Sequence, residues 1–158
     1  MAAALLAYDA KIITDRRSGL TIGELFGDGS NGAADHALLS GEMIRSIELP
    51  APVQGERALY KRAISRSYAE WPLVEVCARA VVSAGSFQFI RITAGGIAPV
   101  PLRLAASEAV LQGAVANAAT IAEAAKQATT GARPLPMTGY KLDLLSGVVH
   151  DLLERLAA

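Results

Sequence analysis

The sequence has few residues that form covalent or metal crosslinks, with one cysteine and two histidines among its 158 residues. The single cysteine, Cys77, cannot form an internal disulfide, which is typical of proteins in a reducing compartment. His36 and His150 are far apart in the chain, and neither has a second histidine or cysteine at metal-ligand spacing. These scarcities exclude an intramolecular disulfide framework and give no support to a metal site.

Net charge and long apolar runs are missing as well. The formal net charge is zero, which argues against nucleic acid or an anionic membrane as the main partner. No apolar run approaches the ~20 residues of a membrane-spanning helix, and Asp9 interrupts the opening segment too early for a signal peptide. We therefore expect a cytoplasmic protein. Hydrophobic residues make up 52% of the chain, so it can bury a core of its own.

The periodicity of apolar residues predicts a sheet followed by helices. Alternation is clearest in the segment that starts at Phe87, where Phe89 and Arg91 share its face and Ile90 and Ile92 lie on the other. Strands are predicted over residues 59–64, 72–82 and 87–93, and helices over 105–113, 117–129 and 139–156. Strands that precede helices without βαβ alternation predict an α+β fold. We expect an antiparallel three-stranded sheet that the C-terminal helices cover on one face.

A glycine-rich segment near the N-terminus needs separate treatment. Residues 27–32, GDGSNG, match the G-x-G-x-x-G pattern of a phosphate-binding turn. The helix predicted next, over residues 33–39, has only about two turns, which is short for the crossover helix of a dinucleotide-binding unit. Asp28, Ser30 and Asn31 are also common turn formers. We therefore favour a polar loop over a phosphate site.

Two longer segments resemble a known family. The segment AGGIAPVPLRLAASEAVLQG (94–113) has a strand ending in Gly-Gly, a proline-containing stretch with Arg103, and a helix that closes on Gly113. GEMIRSIELP (41–50) and the Tyr140-Lys141 pair at the start of the last helix match further parts of the same pattern. The chain resembles the C-terminal portion of the FAD-binding (medium) subunit of molybdenum hydroxylases, the xanthine dehydrogenase and carbon monoxide dehydrogenase family.

The resemblance implies a domain division and a shared cofactor. Residues 1–50 would be the end of the flavin-binding subdomain, and residues 56–158, after a short Pro/Gly linker, the C-terminal domain. The two glycine-rich loops that hold the FAD pyrophosphate in this family have no counterpart in the sequence. FAD would therefore be shared with an N-terminal half or with a separate chain that carries those loops.

The resemblance also implies a function. The chain would form one wall of the flavin site in a subunit that relays electrons from iron–sulfur clusters to an acceptor. It would be a component of a multi-subunit oxidoreductase and inactive alone. The molybdenum cofactor and 2Fe-2S clusters would belong to partner subunits. The sequence identifies neither the hydroxylated substrate nor the electron acceptor. The alternative is a non-catalytic scaffold domain that contacts partner subunits and binds no cofactor.

Candidate flavin contacts follow from matching the family pattern residue by residue. Ile44, with Met43 as its neighbour, matches the aliphatic residue that packs against the flavin ring, although each could equally be an ordinary core residue. Two registers compete for a basic residue that reaches the flavin, one selecting Lys61 and the other Arg62. The second register also places Arg66 at a second basic position. A solvated strand edge is the alternative interpretation for all three, and no catalytic residue is expected in the chain.

Overall fold

The structure is a computed structural model that describes residues 1–65 and 71–158. Arg66, the candidate second basic position, lies outside the described residues. In chain order the elements are α1 (Ala2–Ala7), β1 (Lys11–Thr14), β2 (Leu20–Thr21), α2 (Ile22–Phe26), β3 (Ile44–Glu48), β4 (Arg57–Ala63), β5 (Val74–Ser83), β6 (Ser86–Gly95), β7 (Leu102–Arg103), α3 (Ala105–Leu111), α4 (Ala118–Gln127) and α5 (Tyr140–Ala157).

The larger sheet is antiparallel and has the order β4-β5-β6-β7. Its three long strands are those predicted from alternation, so the predicted antiparallel sheet with C-terminal helices is confirmed. The short fourth strand β7 pairs with the end of β6, and no alternation in two residues could have predicted it. Small and β-branched side chains on one face of β5, such as Val76 and Ala78, are fully buried beneath the helices. We call this face the helix face.

Helices α3, α4 and α5 form the layer over the helix face. The Asn117 side chain caps α4 by accepting a hydrogen bond from the backbone N–H of Thr120, at 2.9 Å, as helix N-termini favour. Helix α5 buries one apolar stripe at helical spacing against the sheet, formed by Leu145, Val148, Val149, Leu152 and Leu156. Burial of this stripe holds the longest helix to the sheet.

A β-bulge in β6 corrects the predicted facing of Phe87. Val81 pairs with Phe89 and Val82 pairs with Phe87, so Gln88 is the extra residue on β6. An extra residue reverses the alternation on one side of it. Phe87 therefore lies in the core under the helices, and its predicted position on the face of Phe89 is wrong.

The smaller sheet has the order β2-β1-β3 and is antiparallel. Helix α2 begins at a capping box in which Thr21 and Glu24 bind each other's backbone N–H groups, a strong local stop for the preceding strand. Ile12 of β1 is buried together with Ile22 and Leu25. These residues form the second, smaller core.

The helix predicted over residues 33–39 is wrong, because that segment forms turns and irregular structure. Asn31 Oδ1 accepts a hydrogen bond from the backbone N–H of Ala33, and His36 Nδ1 accepts one from Leu38. Such local side-chain bonds compete with helix formation. Within the described ranges 1–65 and 71–158, none of the helices is long and apolar enough to cross a membrane.

Candidate functional site

Helix α1 lies between the two sheets and joins them. On one side the Thr93 hydroxyl donates to the carbonyl of Ala3 at 2.6 Å, and Arg79 Nη1 donates to the carbonyl of Ala7 at 2.9 Å. On its other side Leu5 and Leu6 pack against the small core around Ile12. The face of the larger sheet opposite the helix face is therefore turned toward α1, and we call it the α1 face.

Arg79 is the most deeply buried charged group of the α1 face, with 2% of the residue exposed. Its guanidinium pairs with Glu56 and lies 4.0 Å from the centre of the Tyr8 ring and 5.4 Å from that of Phe89. Cationic groups are attracted to aromatic faces at such distances. Arg79 therefore fastens α1 and the linker before β4 to the sheet.

A second cation stands directly opposite Arg79 on the same face. Arg91 pairs with Arg79 across β5 and β6, and like charges in this position repel each other. Asp9 offsets part of that charge, because its carboxylate lies 3.2 Å from Arg91 Nε and 3.5 Å from Arg103 Nη1. Three arginines of the larger sheet therefore bind the end of α1 and the residues just after it: Arg79 binds the carbonyl of Ala7, and Arg91 and Arg103 pair with Asp9.

The register of β4 against β5 separates the two competing basic residues, Lys61 and Arg62. Lys61 lies opposite Val76, which belongs to the helix face. Its ammonium group pairs with Asp151 of α5 at 2.7 Å, and this hydrogen bond holds the pKa of Asp151 below its usual value. Lys61 is therefore engaged with the helix layer, on the side of the sheet away from α1.

Arg62 lies on the α1 face at one corner of the sheet. It stands opposite Glu75, whose Oε2 accepts a hydrogen bond from the Tyr60 hydroxyl at 2.8 Å. Partial burial and the neighbouring Glu75 carboxylate raise the pKa of Tyr60 to about 12, so this phenol stays neutral at physiological pH. Gly95 lies across from Glu75 on β6. We name Tyr60, Arg62, Glu75 and Gly95 the Arg62 corner.

The two glycines of the Gly-Gly pair have packing reasons for lacking a side chain. A Cβ on Gly95 would lie 2.5 Å from Glu75 Oε1, and one on Gly96 would lie 3.1 Å from the carbonyl oxygens of Pro72 and Leu73. Gly96 also has φ +75°, which favours glycine. Beside them, Trp71 is 91% exposed, so the end of the sheet that carries the Arg62 corner also presents an uncovered aromatic ring.

Ile44 lies on the edge strand β3, next to a β-bulge. Ile47 pairs with Ile12 and Ile44 pairs with Thr14, so Arg45 is the extra residue. Ile44 and Ile47 therefore share one face, although strict alternation would put residues three positions apart on opposite faces. On that face Ile12 belongs to the smaller core, against which α1 also packs, and Ile44 and Ile47 are 45% and 41% exposed. Met43 is also exposed.

Ile44 and Arg62 lie on faces of two different sheets, and α1 packs against both sheets. Ile44 belongs to the smaller sheet and Arg62 to the larger one, with α1 packed between the sheets. Lys61 does not share this side.

The GDGSNG loop shows the geometry of a self-satisfied turn. The Asp28 carboxylate accepts a hydrogen bond from the backbone N–H of Ser30 at 2.9 Å. The Ser30 side chain, and after it this backbone N–H, hold the pKa of Asp28 below its usual value. Gly29 packs against Pro99 and Val100 of the segment after the Gly-Gly pair. A phosphate needs free N–H groups and no competing anion. The loop offers neither at Ser30, and a helix does not follow it.

Glu42 holds the segment that leads into β3. Its carboxylate binds Arg17 at 2.6 Å, the Thr14 hydroxyl at 2.6 Å and the backbone N–H of Leu39 at 2.8 Å. The hydrogen bond from Arg17 is the largest cause that lowers the pKa of Glu42 to about 2. The Gly-Glu pair of the segment 41–50 therefore has a structural role, which positions the strand that carries Ile44.

Sequence comparison identifies the class as a flavoprotein domain. The model of the CO dehydrogenase flavoprotein C-terminal domain matches residues 58–156. The chain belongs to that family. A search of the curated proteins finds no match.

Solved structures share the fold over almost the whole chain. Quinoline 2-oxidoreductase from Pseudomonas putida 86 has a TM-score of 0.83 at 20% identity, over 99% of this chain and 55% of that chain. Carbon monoxide dehydrogenase from Hydrogenophaga pseudoflava has 0.82 at 23%, over 95% and 53%. CO dehydrogenase from Oligotropha carboxidovorans has 0.85 at 18%, over 99% and 56%. The chain spans about half the length of these solved chains.

Proposed function

We propose that the chain is part of the FAD-containing electron-transfer subunit of a molybdenum hydroxylase and forms one wall of its flavin site. The observation that carries the proposal is the Arg62 corner, a cation on the α1 face of a domain that belongs to a flavoprotein family. In this proposal residues 1–50 close the flavin-binding subdomain and residues 56–158 form the C-terminal domain. The location would be cytoplasmic.

The flavin supplies the redox chemistry when it is bound, and the protein sets its surroundings. Arg62 would lie near the pyrimidine edge of the ring and stabilise the negative charge that the reduced ring carries. Glu75, directly opposite Arg62, would weaken that effect because its charge has the opposite sign. Ile44, with Ile47 on the same face, would cover one side of the ring and exclude water from it.

Arg62 is preferred over Lys61 for a geometric reason. Lys61 is bound to Asp151 on the helix face, so its ammonium group lies on the side of the sheet away from α1. Arg62 and Ile44 lie on faces of two sheets that both pack against α1. We therefore assign the flavin-facing cation to Arg62 and a structural role to Lys61.

The pyrophosphate of FAD would be held by another polypeptide segment. The GDGSNG loop binds its own Asp28 carboxylate, and the solved relatives are almost twice as long as this chain. The edge strand β3 offers a place for such a segment to join, since all five of its residues are exposed and its outer edge is unpaired within the described chain. Open edges of this kind accept an added strand.

The proposed partners are a molybdenum-cofactor subunit and an iron–sulfur subunit with 2Fe-2S clusters. In that arrangement the chain is a component of an oxidoreductase, and electrons from the clusters pass through the flavin to an acceptor. The alternative is a scaffold domain that contacts partner subunits and binds no cofactor. The experiment below separates the two functions.

The test is the flavin reduction potential of the holoprotein, with FAD and the polypeptide that carries the pyrophosphate loops. Arg62→Met should lower the potential, because a cation near the ring is lost. A differential interaction of about 1–2 kcal/mol corresponds to roughly 20–40 mV for a two-electron couple. Glu75→Gln should raise it, since an anion near the ring is lost.

Lys61→Met is the matched control, because it removes a neighbouring cation of the same strand that lies on the opposite face. It should leave the potential unchanged. Equal shifts for Arg62→Met and Lys61→Met, or no shift for Arg62→Met, would contradict the assignment. An assembled complex that takes up no FAD would support the scaffold function instead.

A further inference from the structure

A cavity of about 850 Å³ lies beneath the segment that follows β6, and it begins at Gly96, the residue after the Arg62 corner. Its walls are the segment 96–99 after β6, strand β7, the start of α3, the loop 127–135 and the start of α5. None of the four residues of the Arg62 corner lines it. A volume of this size is within the range of small-molecule sites.

Most of the cavity wall is apolar. The apolar side chains that line it come from three separate parts of the chain and include Ile97, Pro99, Leu102, Leu135, Leu142 and Leu145. Leu102 and Leu135 remain exposed, so the apolar wall continues to the cavity mouth. Such a wall favours the hydrocarbon body of a ligand over water.

All the charged residues that line the cavity are cations, namely Arg103, Arg133 and Lys141. Arg103 is balanced by the Glu108 carboxylate at 2.8 Å. Lys141 donates to the carbonyl of Gly96 at 2.7 Å, which satisfies one N–H without neutralising the charge. Arg133 makes no hydrogen bond or ion pair with the described part of the chain.

We propose that this cavity binds a small anion with an apolar body, of the class of aromatic or medium-chain carboxylates. The carboxylate would pair with Arg133 and Lys141 at the cavity mouth, and the hydrocarbon would lie against the leucine wall. The two charges left without a counter-ion explain why an anion is favoured over a neutral or cationic ligand. The site is separate from the proposed flavin wall and does not depend on it.

The probes for this proposal share one ring system and differ in charge. They are 2-naphthoate, naphthalene-2-methanol and 2-naphthylmethylammonium, titrated into the full chain by calorimetry at low salt. We expect saturable one-to-one binding of the anion, about tenfold weaker binding of the alcohol and weaker binding still of the ammonium ion. Added salt should weaken the binding of 2-naphthoate only, because salt screens the attraction between its carboxylate and the cationic side chains. Equal affinity for the three probes would overturn the proposal, as would no binding of 2-naphthoate.

Two arginine variants test whether the carboxylate of the ligand pairs with Arg133. Arg133→Ala should reduce the affinity for 2-naphthoate about fivefold and leave that for the alcohol unchanged. Arg45→Ala removes an exposed arginine of β3 that does not line the cavity, and it should change the affinity for neither probe. Unchanged binding of 2-naphthoate in Arg133→Ala would contradict the assignment.

Amide chemical shifts of the parent chain locate the ligand without requiring a substitution. Amide chemical shifts recorded during titration with 2-naphthoate should move at the cavity lining, including Ala128, Thr130 and Leu142. Ala106→Phe, which fills part of the lining, should abolish these shifts while the rest of the spectrum stays folded. Shifts that centre on the Arg62 corner or on β3 instead would refute the site.

Discussion

Replacement of Arg79 is the sharpest perturbation of the joint between α1 and the larger sheet. Arg79→Met keeps much of the apolar stem between the rings of Tyr8 and Phe89 but removes the guanidinium. The Glu56 carboxylate then loses its ion-pair partner, and the carbonyl of Ala7 loses its donor. Breaking a buried pair by removing one partner costs about 3–5 kcal/mol, because the other charge stays buried.

The lower end of that range fits this site for two reasons. The Glu56 side chain is 13% exposed, so water can solvate part of the carboxylate once Arg79 is gone. Removal of Arg79 also relieves its repulsion with Arg91, which stands directly opposite. We therefore expect Arg79→Met to lower the free energy of unfolding by about 3 kcal/mol.

The assay is urea unfolding, with the midpoint and the slope fitted separately. Arg155→Met is the control, since Arg155 is largely exposed and pairs with Asp151 one helical turn away; it should cost less than about 1 kcal/mol. Arg79→Met combined with Glu56→Met should be more stable than Arg79→Met alone, because no unpaired buried charge remains. A loss below about 1 kcal/mol for Arg79→Met would refute the reasoning, as would a double variant no more stable than the single one.

Two further predictions concern the N-terminal segment. Glu42→Gln should lower the unfolding midpoint at pH 7. The difference from the parent should shrink as the pH falls from about 4.5 to about 2, because the pKa of Glu42 is lowered to about 2 in the folded state and its contribution to stability is lost on protonation. A constant difference between Glu42→Gln and the parent down to pH 2 would contradict the network with Arg17. The isolated chain should not bind FAD at micromolar concentration, because residues 27–32 do not offer a set of free N–H groups to the pyrophosphate. Flavin fluorescence titration measures this binding. One-to-one micromolar binding that is lost in Gly29→Ala would show that residues 27–32 do hold the pyrophosphate.

Much of the fold could be predicted from the sequence because its long elements have strong periodicity. Alternation in β5 and the helical apolar stripe of α5 are local properties that tertiary contacts did not change. The two bulges could not be predicted, since an extra residue at Gln88 or Arg45 is defined only by the register against a neighbouring strand. Each bulge reversed the facing of one aromatic or aliphatic side chain.

The sequence predicts candidate residues for the site but not their geometry. Neighbouring residues in a strand must point to opposite faces, so the sequence alone could state that Lys61 and Arg62 do not share a side. Only the pairing of Lys61 with Val76 identifies which of them lies on the α1 face. Arg79 was missed because its partners, Ala7 and Glu56, are 72 and 23 residues away. An arginine within a strand of small apolar residues was the available signal.

The position of the flavin ring in the assembled holoprotein tests the central claim most directly. A crystal structure of the chain with FAD and the polypeptide that carries the pyrophosphate loops would locate the ring against the two sheets. The account predicts the Arg62 guanidinium within hydrogen-bonding distance of the pyrimidine edge, Ile44 in contact with the ring, and Lys61 still paired with Asp151. A ring that contacts neither Arg62 nor Ile44, or that reaches Lys61 on the helix face, would contradict it.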